Sequence, residues 1–155
     1  MTYTIDMLID KIKEVGKSYD LDKIQAAYEL AEKAHDGVFR SSGEPYITHP
    51  VAVAYILVEQ FCMDTDTICA ALLHDVVEDT DVGLDVIQKK FGEDVAHLVD
   101  GVTKIGQVPL NTREEQQAEN IRKILIAMSK DIRVIIIKLL SLIHISEPTR
   151  PRLIS

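Results

Sequence analysis

The sequence LLHDVVEDT at residues 72–80 places one imidazole and three carboxylates within six consecutive positions, among apolar residues that predict a buried helix. Between Ser41 and Gln88 the chain contains nine Asp and Glu residues but no Lys or Arg. Carboxylates packed this closely repel one another, so one of them must hold a proton or a cation must lie between them. A divalent metal ion is the simplest solution, and this stretch is therefore a candidate metal site.

The rest of the chain predicts helices almost throughout. A polar loop with Ser, Gly and Pro is expected at residues 39–46, and no segment alternates convincingly with a period of two. We therefore predict an all-α helical bundle. The expected helices are 5–19, 21 to about Gly37 with Asp20 as its N-cap, His49 to about Phe61, Asp64 or Thr65 to about Thr80, 84–91, 93–104, 113 to about Ser129, and one from Asp131 onward.

Composition restricts the possible classes of protein. The 155 residues are 46% apolar and 27% charged, as in an ordinary single globular domain. The formal charge of −8 argues against a nucleic-acid partner but not against a small phosphorylated substrate, because a bound metal supplies local positive charge. No apolar run approaches the ~20 residues that span a bilayer. The N-terminus lacks the features of a signal peptide, so we expect a soluble, cytoplasmic protein with no membrane partner.

Residue spacing suggests how the candidate ligands could cooperate. His74 and Glu78 are four positions apart, as are Asp75 and Asp79, so each pair would stack one turn along a helix. Adjacent helical residues diverge by about 100°, so a shared metal must lie off the helix edge, and His49 is a plausible third ligand. Imidazole and carboxylate ligands suit manganese, iron or zinc better than magnesium. Glu78 and Asp79 would then orient a metal-bound water or handle its proton.

Each of these residues could also have a purely structural or solvent-exposed role, and the strength of that interpretation differs from one residue to the next. Acidic residues at a helix end usually form a solvated face, which is the interpretation we favour for Glu78 and Asp79 taken alone. The His-Asp doublet before them is flanked by apolar residues, and a partly buried charge without a partner costs several kcal/mol, so it favours a functional site. His35 and His97 have no matching cluster around them, and we predict structural roles for both.

Five segments, in order along the chain, resemble the hydrolase (HD) domain of the long RelA/SpoT proteins, which make and degrade guanosine tetra- and pentaphosphate. Together they span about two thirds of the chain. The segments are FRSSGEPYITHP at 39–50, LHDVVEDT at 73–80, VDGVTK at 99–104, EEQQAEN at 114–120 and MSKDIRV at 128–134.

The resemblance implies an HD-domain bundle over residues 1–139 that hydrolyses guanosine 3′,5′-bis(diphosphate), or the pentaphosphate, at the 3′-pyrophosphate to give GDP or GTP and pyrophosphate. It also implies that synthetase and regulatory domains follow in the full-length protein. The resemblance further implies Mn²⁺ held by His49, His74 and Asp75, catalysis by Glu78 and Asp79, and a grip on the guanine base by the loop of Arg40 and Ser42.

The C-terminus departs from the family pattern. The family continues Lys138-Leu139 with Ala-Asp-Arg-Leu-His-Asn-Met-Arg, whose Asp is the fourth metal ligand, and Ser141 stands in the place of that Asp. Residues 140–150 also read as an in-frame translation of a transposon-based sequencing-library adapter. We therefore interpret residues 140–155 as a non-native tail, and we expect weak metal binding and little turnover from the chain as it stands.

Three hypotheses remain open from the sequence. The first is an alarmone 3′-pyrophosphohydrolase domain, favoured by the ordered segments and the Arg40–Ser42 loop. The second is a different His-Asp phosphohydrolase that acts on a cyclic dinucleotide or a deoxynucleotide, which the doublet alone would allow. The third is a fragment that folds without catalysing, which Ser141 favours.

Overall fold

The computed structural model describes residues 3–16, 18–106, 118–119, 121–122 and 131–146, and most of these residues are helical. The predicted all-α class is confirmed: an isolated bridge between Phe39 and Pro45 is the sole β-type pairing within the described residues. The named helices are α1 (Ile5–Val15), α2 (Leu21–Ala34), α3 (Thr48–Phe61), α4 (Thr65–Leu73), α5 (Val76–Asp79), α6 (Leu84–Phe91), α7 (Glu93–Gly106) and α8 (Ile132–Ser146). Most of the helix predicted from Arg113 to Ser129 lies outside the described residues.

The helices begin where side-chain caps are available. Asp20 accepts a hydrogen bond from the Lys23 amide at 3.0 Å, as predicted, and Asp64 accepts one from the Thr67 amide at 3.3 Å. Each cap satisfies a backbone N–H that has no partner within its own helix and contributes about 1 kcal/mol. These two caps fix the first turns of α2 and α4.

Helices α3 and α4 form the centre of the bundle. α3 packs against α1, α4 and α8, while α4 also packs against α2 and α7. Leu57 of α3 and Ile68 and Leu72 of α4 are fully buried. Because both helices are surrounded, the polar residues at the start of α3 and at the end of α4 are carried into the interior.

The helix predicted from Asp64 or Thr65 to Thr80 is broken in the middle, which corrects that prediction. α4 ends at Leu73, and a separate short helix begins at Val76. The Asp75 backbone has φ −91° and ψ −11°, between regular helix and the sparsely populated bridge region. Across this break the side chains of the adjacent residues His74 and Asp75 approach each other, with His74 Nε2 lying 3.2 Å from Asp75 Oδ2.

A close contact between α7 and α8 makes a testable stability prediction. A Cβ atom on Gly101 would lie 2.8 Å from Val134 Cγ2, which is too close without a shift of one helix. We expect Gly101→Ala to destabilise the protein by about 1–2 kcal/mol, because overpacking costs about 1–3 kcal/mol and the gain in helix propensity returns at most about 1. Urea unfolding followed by circular dichroism would measure the change.

Val134→Ala provides the control for this prediction, because it removes the obstructing methyl groups. In that background Gly101→Ala should be neutral or stabilising. An equal loss of unfolding free energy in both backgrounds would show that the contact is not the cause.

Membrane insertion finds no support in the part of the chain that the structure describes. None of its helices has both the length and the apolar character needed to cross a bilayer.

Candidate metal centre

Two buried histidines meet in the interior of the bundle. His49 is the second residue of α3, and His74 directly follows α4; their side chains are 0% and 1% exposed. Their ring centroids are 6.1 Å apart, and the ring planes are inclined at 62° to each other. Buried imidazoles need polar partners, so their convergence marks a polar site within an otherwise apolar core.

Asp75 joins the two histidines. One ligand atom each from His49, His74 and Asp75 can be chosen so that all three lie within 4.8 Å of one another. The structure therefore brings together the three residues that the sequence resemblance gave as metal ligands. Two imidazole nitrogens and one carboxylate oxygen are a donor set that suits a divalent transition metal, and the group fits such an ion chemically.

Ser141 of α8 reaches into the same cluster. Its hydroxyl oxygen lies 2.9 Å from His49 Nε2 and 3.2 Å from His74 Nε2, and the residue is only 3% exposed. The hydroxyl therefore contacts the same ring nitrogens that would bind a metal. The fourth side chain of the cluster is neutral, whereas the family pattern has a carboxylate there.

His74 and Asp75 are adjacent in the turn, and each affects the pKa of the other. His74 Nδ1 donates to the Ala71 carbonyl at 2.6 Å, which leaves Nε2 facing Asp75 Oδ2 at 3.2 Å and Ser141. Burial lowers the pKa of His74, but the hydrogen bond and negative charge of Asp75 outweigh it and raise the pKa above its ordinary value. Burial likewise raises the pKa of Asp75, but His74 and Tyr46 lower it well below its usual range. Positive charge at Nε2 is therefore favoured, as it would be at a metal site.

Tyr46 is a site residue that the sequence interpretation missed. Its hydroxyl donates to Asp75 Oδ2 at 2.5 Å, and burial followed by the charge of Asp75 strongly raises the pKa of the tyrosine. The sequence places Tyr46 in a Ser/Gly/Pro loop, and the contact joins residues 29 positions apart, so no local signal indicates it. It fixes the orientation of one candidate ligand.

Glu78 and Asp79 lie in α5, one turn beyond the cluster, and both are exposed. Partial burial, followed by the negative charge of Asp75, raises the pKa of each carboxyl. Lys138 of α8 opposes this effect on Glu78, so its positive charge also reaches the site. The pair is thus set at the solvent-facing side of the buried cluster.

His35 and His97 have very different surroundings. His97 is exposed on α7, whereas His35 is buried with Nε2 lying 3.6 Å from Asp79 Oδ2. The predicted structural role of His35 is therefore incomplete, because its ring also faces one of the candidate catalytic carboxylates.

Arg40 and Ser42 lie in the turn that precedes α3. The Arg40 amide donates to the Glu44 carbonyl at 2.8 Å, and the Tyr46 amide donates to the Val38 carbonyl at 2.9 Å, so the two arms of the loop pair. Ser42 is exposed at its tip. The loop leads directly into Tyr46, whose hydroxyl is bonded to Asp75, and it therefore opens beside the cluster.

A helical bundle with a buried His, His, Asp group and acidic residues one turn away is the architecture of a metal-dependent phosphohydrolase domain. Residues 27–147 match the HD domain family. The chain belongs to this family and is homologous to its RelA/SpoT members, as the sequence resemblance predicted.

The chain is similar to parts of longer bacterial proteins. The guanosine-3′,5′-bis(diphosphate) 3′-pyrophosphohydrolase of Vibrio cholerae is 50% identical over 136 residues, which are 85% of this chain and 19% of that protein. The bifunctional (p)ppGpp synthase/hydrolase SpoT of Escherichia coli K12 is 46% identical over 141 residues, 88% of this chain and 20% of that protein. The chain thus spans about a fifth of the length of these curated relatives.

A solved structure extends the comparison to the fold. It is described as a metazoan ortholog of SpoT that hydrolyzes ppGpp and plays a role in starvation responses. The TM-score is 0.61 at 31% identity, and the match covers 81% of this chain and 68% of the other.

Proposed function

We propose that this chain is the hydrolase domain of an alarmone enzyme, which removes the 3′-pyrophosphate of guanosine tetra- or pentaphosphate with manganese as its cofactor. The observation that carries the proposal is the buried group of His49, His74 and Asp75, with Glu78 and Asp79 one turn away. The names of the bacterial relatives and the description of the metazoan structure support the choice of substrate. The longer relatives support the proposal that synthetase and regulatory domains accompany this domain in the full-length protein.

His49, His74 and Asp75 are the residues that would hold the cation. When bound, a divalent metal lowers the pKa of a water ligand and polarises a phosphoryl oxygen. The Ala71 carbonyl fixes the His74 ring so that Nε2 faces the site, and the Tyr46 hydroxyl fixes Asp75. Such supporting hydrogen bonds set both the direction and the basicity of the ligands.

Glu78 and Asp79 are proposed to handle the protons of the reaction. Their raised pKa values bring both carboxyls closer to the neutral range, where a group both accepts and donates protons efficiently. One carboxylate accepts a proton from the water whose oxygen forms a bond to the phosphorus of the 3′-pyrophosphate. The other carboxyl, in its protonated form, donates a proton to the 3′-oxygen as the bond between that oxygen and the phosphorus breaks. Because both side chains are exposed, a substrate can reach them from solvent.

Arg40 and Ser42 are proposed to hold the guanine base. The Arg40 guanidinium is planar and suits stacking against a base, while the Ser42 hydroxyl is both a donor and an acceptor. Their loop begins and ends beside the cluster, because its last residue is the Tyr46 that bonds Asp75. A nucleotide whose guanine base is bound by this loop would have its phosphates directed toward the metal group.

Ser141 is the reason to expect weak activity from the chain as it stands. A serine hydroxyl is a neutral and poor substitute for a carboxylate ligand, and it contacts both histidine nitrogens that a metal needs. We further propose that residues 140–155 are a non-native tail, and resequencing the gene across codon 140 would test this proposal.

A substrate panel tests the proposed function. The chain and its Ser141→Asp variant are each incubated with Mn²⁺ and guanosine tetraphosphate, a cyclic dinucleotide or a deoxynucleoside triphosphate. We expect pyrophosphate and GDP from the tetraphosphate alone, chiefly with the variant. Turnover of another substrate instead would favour a different His-Asp phosphohydrolase, and no turnover from two folded proteins would favour a non-enzymatic fragment.

Tyr46→Phe tests whether the Tyr46 hydroxyl contributes to metal binding by orienting Asp75. Loss of the hydroxyl removes a hydrogen bond to Asp75, and we expect manganese affinity of the Ser141→Asp chain to fall about 10- to 100-fold. Unbound Mn²⁺ measured by electron paramagnetic resonance gives the affinity directly. Tyr28→Phe is the matched control, because its hydroxyl bonds Glu32 on the exposed side of α2; an equal fall in both variants would contradict the assignment.

A further inference from the structure

The His35 ring is held on two sides in the interior. The residue follows α2 and is 4% exposed, and its Nδ1 lies 3.1 Å from the Ala31 carbonyl oxygen, to which it donates. Its ring lies against the ring of Tyr46, with centroids 4.7 Å apart. These contacts fix both the position and the tautomer of the imidazole, because a carbonyl oxygen only accepts.

The remaining ring nitrogen faces Asp79. His35 Nε2 is fully buried and has no hydrogen-bond partner among the described residues, but it lies 3.6 Å from Asp79 Oδ2. Because Nδ1 donates to the Ala31 carbonyl, Nε2 is the ring nitrogen that is left to face Asp79. A small rotation of the Asp79 side chain brings Nε2 and Oδ2 to hydrogen-bond distance.

We propose that His35 is a positioning residue that holds the Asp79 carboxyl in the orientation needed for proton transfer. Asp79 is 47% exposed and lies at the end of a short helix, so packing alone does not select one rotamer of its side chain. The His35 ring is rigid and supplies a fixed partner. The inference rests on the proposed catalytic role of Asp79.

The stacking partner of His35 connects this contact to the metal group. One face of the imidazole lies against Tyr46, whose hydroxyl bonds Asp75, while its edge faces Asp79. These two adjacent rings thus lie between the candidate metal ligand Asp75 and the candidate proton-handling carboxyl of Asp79. A role of this kind requires the Nε2 edge of the ring, whereas a purely structural role in α2 requires only Nδ1.

Two substitutions separate these roles. In His35→Asn the side-chain amide reproduces Nδ1 and its bond to Ala31, but nothing reaches Asp79. In His35→Gln the longer amide reaches the position of Nε2, but the bond to Ala31 is lost. Thermal unfolding of both variants shows whether the fold is retained.

The kinetic arm measures pyrophosphate release from guanosine tetraphosphate in the Ser141→Asp chain. We expect His35→Asn to lower kcat at least tenfold with KM within twofold, and His35→Gln to recover most of kcat. In an Asp79→Asn background, His35→Asn should change kcat less than twofold, because it acts through a group already removed. The exposed His97→Gln is the control and should be neutral. Equal activity of the Asn and Gln variants, or a full additional loss in the Asp79→Asn background, would overturn the inference.

A second arm does not depend on activity. Nitrogen-15 spectra of the histidine rings in the metal-free chain report the environment of His35 Nε2. We expect this resonance to move in Asp79→Asn and to stay in place in Glu78→Gln, the neighbouring carboxyl. An unmoved resonance would overturn the contact. If the Ser141→Asp chain releases no pyrophosphate, the proposed function fails, and this arm alone decides whether His35 holds Asp79.

Discussion

Ser141→Asp is expected to raise the affinity of the chain for manganese by more than about 100-fold, because a direct ligand contributes more than the supporting residues whose loss costs 10–100-fold. The reason is geometric. The Ser141 side chain already lies within 3.2 Å of both imidazole Nε2 atoms, so a carboxylate at this position would join the buried cluster without a rearrangement of α8. Isothermal titration with Mn²⁺ measures the gain, and pyrophosphate release from guanosine tetraphosphate should become measurable with it.

Ser141→Asn is the control for this prediction. Asparagine has the shape of aspartate but no negative charge, so it should leave manganese affinity within a few fold of the unsubstituted chain. Equal gains from both substitutions would show that size rather than charge limits binding. No gain from aspartate in a folded protein would refute the assignment of this position as the fourth ligand.

Neutralising the acidic pair should abolish turnover while leaving metal binding intact. In the Ser141→Asp chain we expect Glu78→Gln and Asp79→Asn each to lower kcat by about 10²–10⁴, the range for loss of a general acid or base. Both residues lie beyond the three-residue group, so manganese affinity should change little. Steady-state kinetics and metal titration on the same preparations measure the two quantities.

Asp81→Asn is the matched control for the acidic pair. It removes a nearby negative charge outside α5 and should leave kcat within about twofold, since substitutions away from specific contacts have small effects. A similar loss in this variant would show that overall charge, rather than the two proposed groups, governs the rate. A large fall in manganese affinity in Glu78→Gln would instead make that carboxyl a ligand.

The sequence predicted the helices and the convergence of His49, His74 and Asp75, but not the contacts that surround these three residues. Helical periodicity and the caps at Asp20 and Asp64 are local properties, and the structure confirms them. The break after Leu73 was not predicted, because the turn contains neither Gly nor Pro and depends on the backbone angles of one aspartate. The uninterrupted helix was wrong, although the convergence of its His-Asp doublet with His49 was expected.

The supporting residues could not be predicted from local patterns. Tyr46 reaches Asp75 across 29 positions, and His35, which follows α2, meets Asp79 at the end of α5 only in the folded bundle. The spacing of residues along the chain marks neither contact. Their roles depend on tertiary contacts, which composition and periodicity do not encode.

The hydroxyl that touches both histidines comes from far along the chain: Ser141 is 92 positions from His49. In the Ser141→Asp chain, an ion bound by residue 141 and by the two histidines would act as a cross-link between α8 and the centre of the bundle. At 100 times its dissociation constant it would add about 2.7 kcal/mol to the folded state. Without that cross-link, α8 is retained by apolar contacts such as Ile137 and by a few polar bonds, so it should be the first helix to detach in hydrogen exchange. The concentration of free metal would then determine how often α8 detaches from the rest of the bundle.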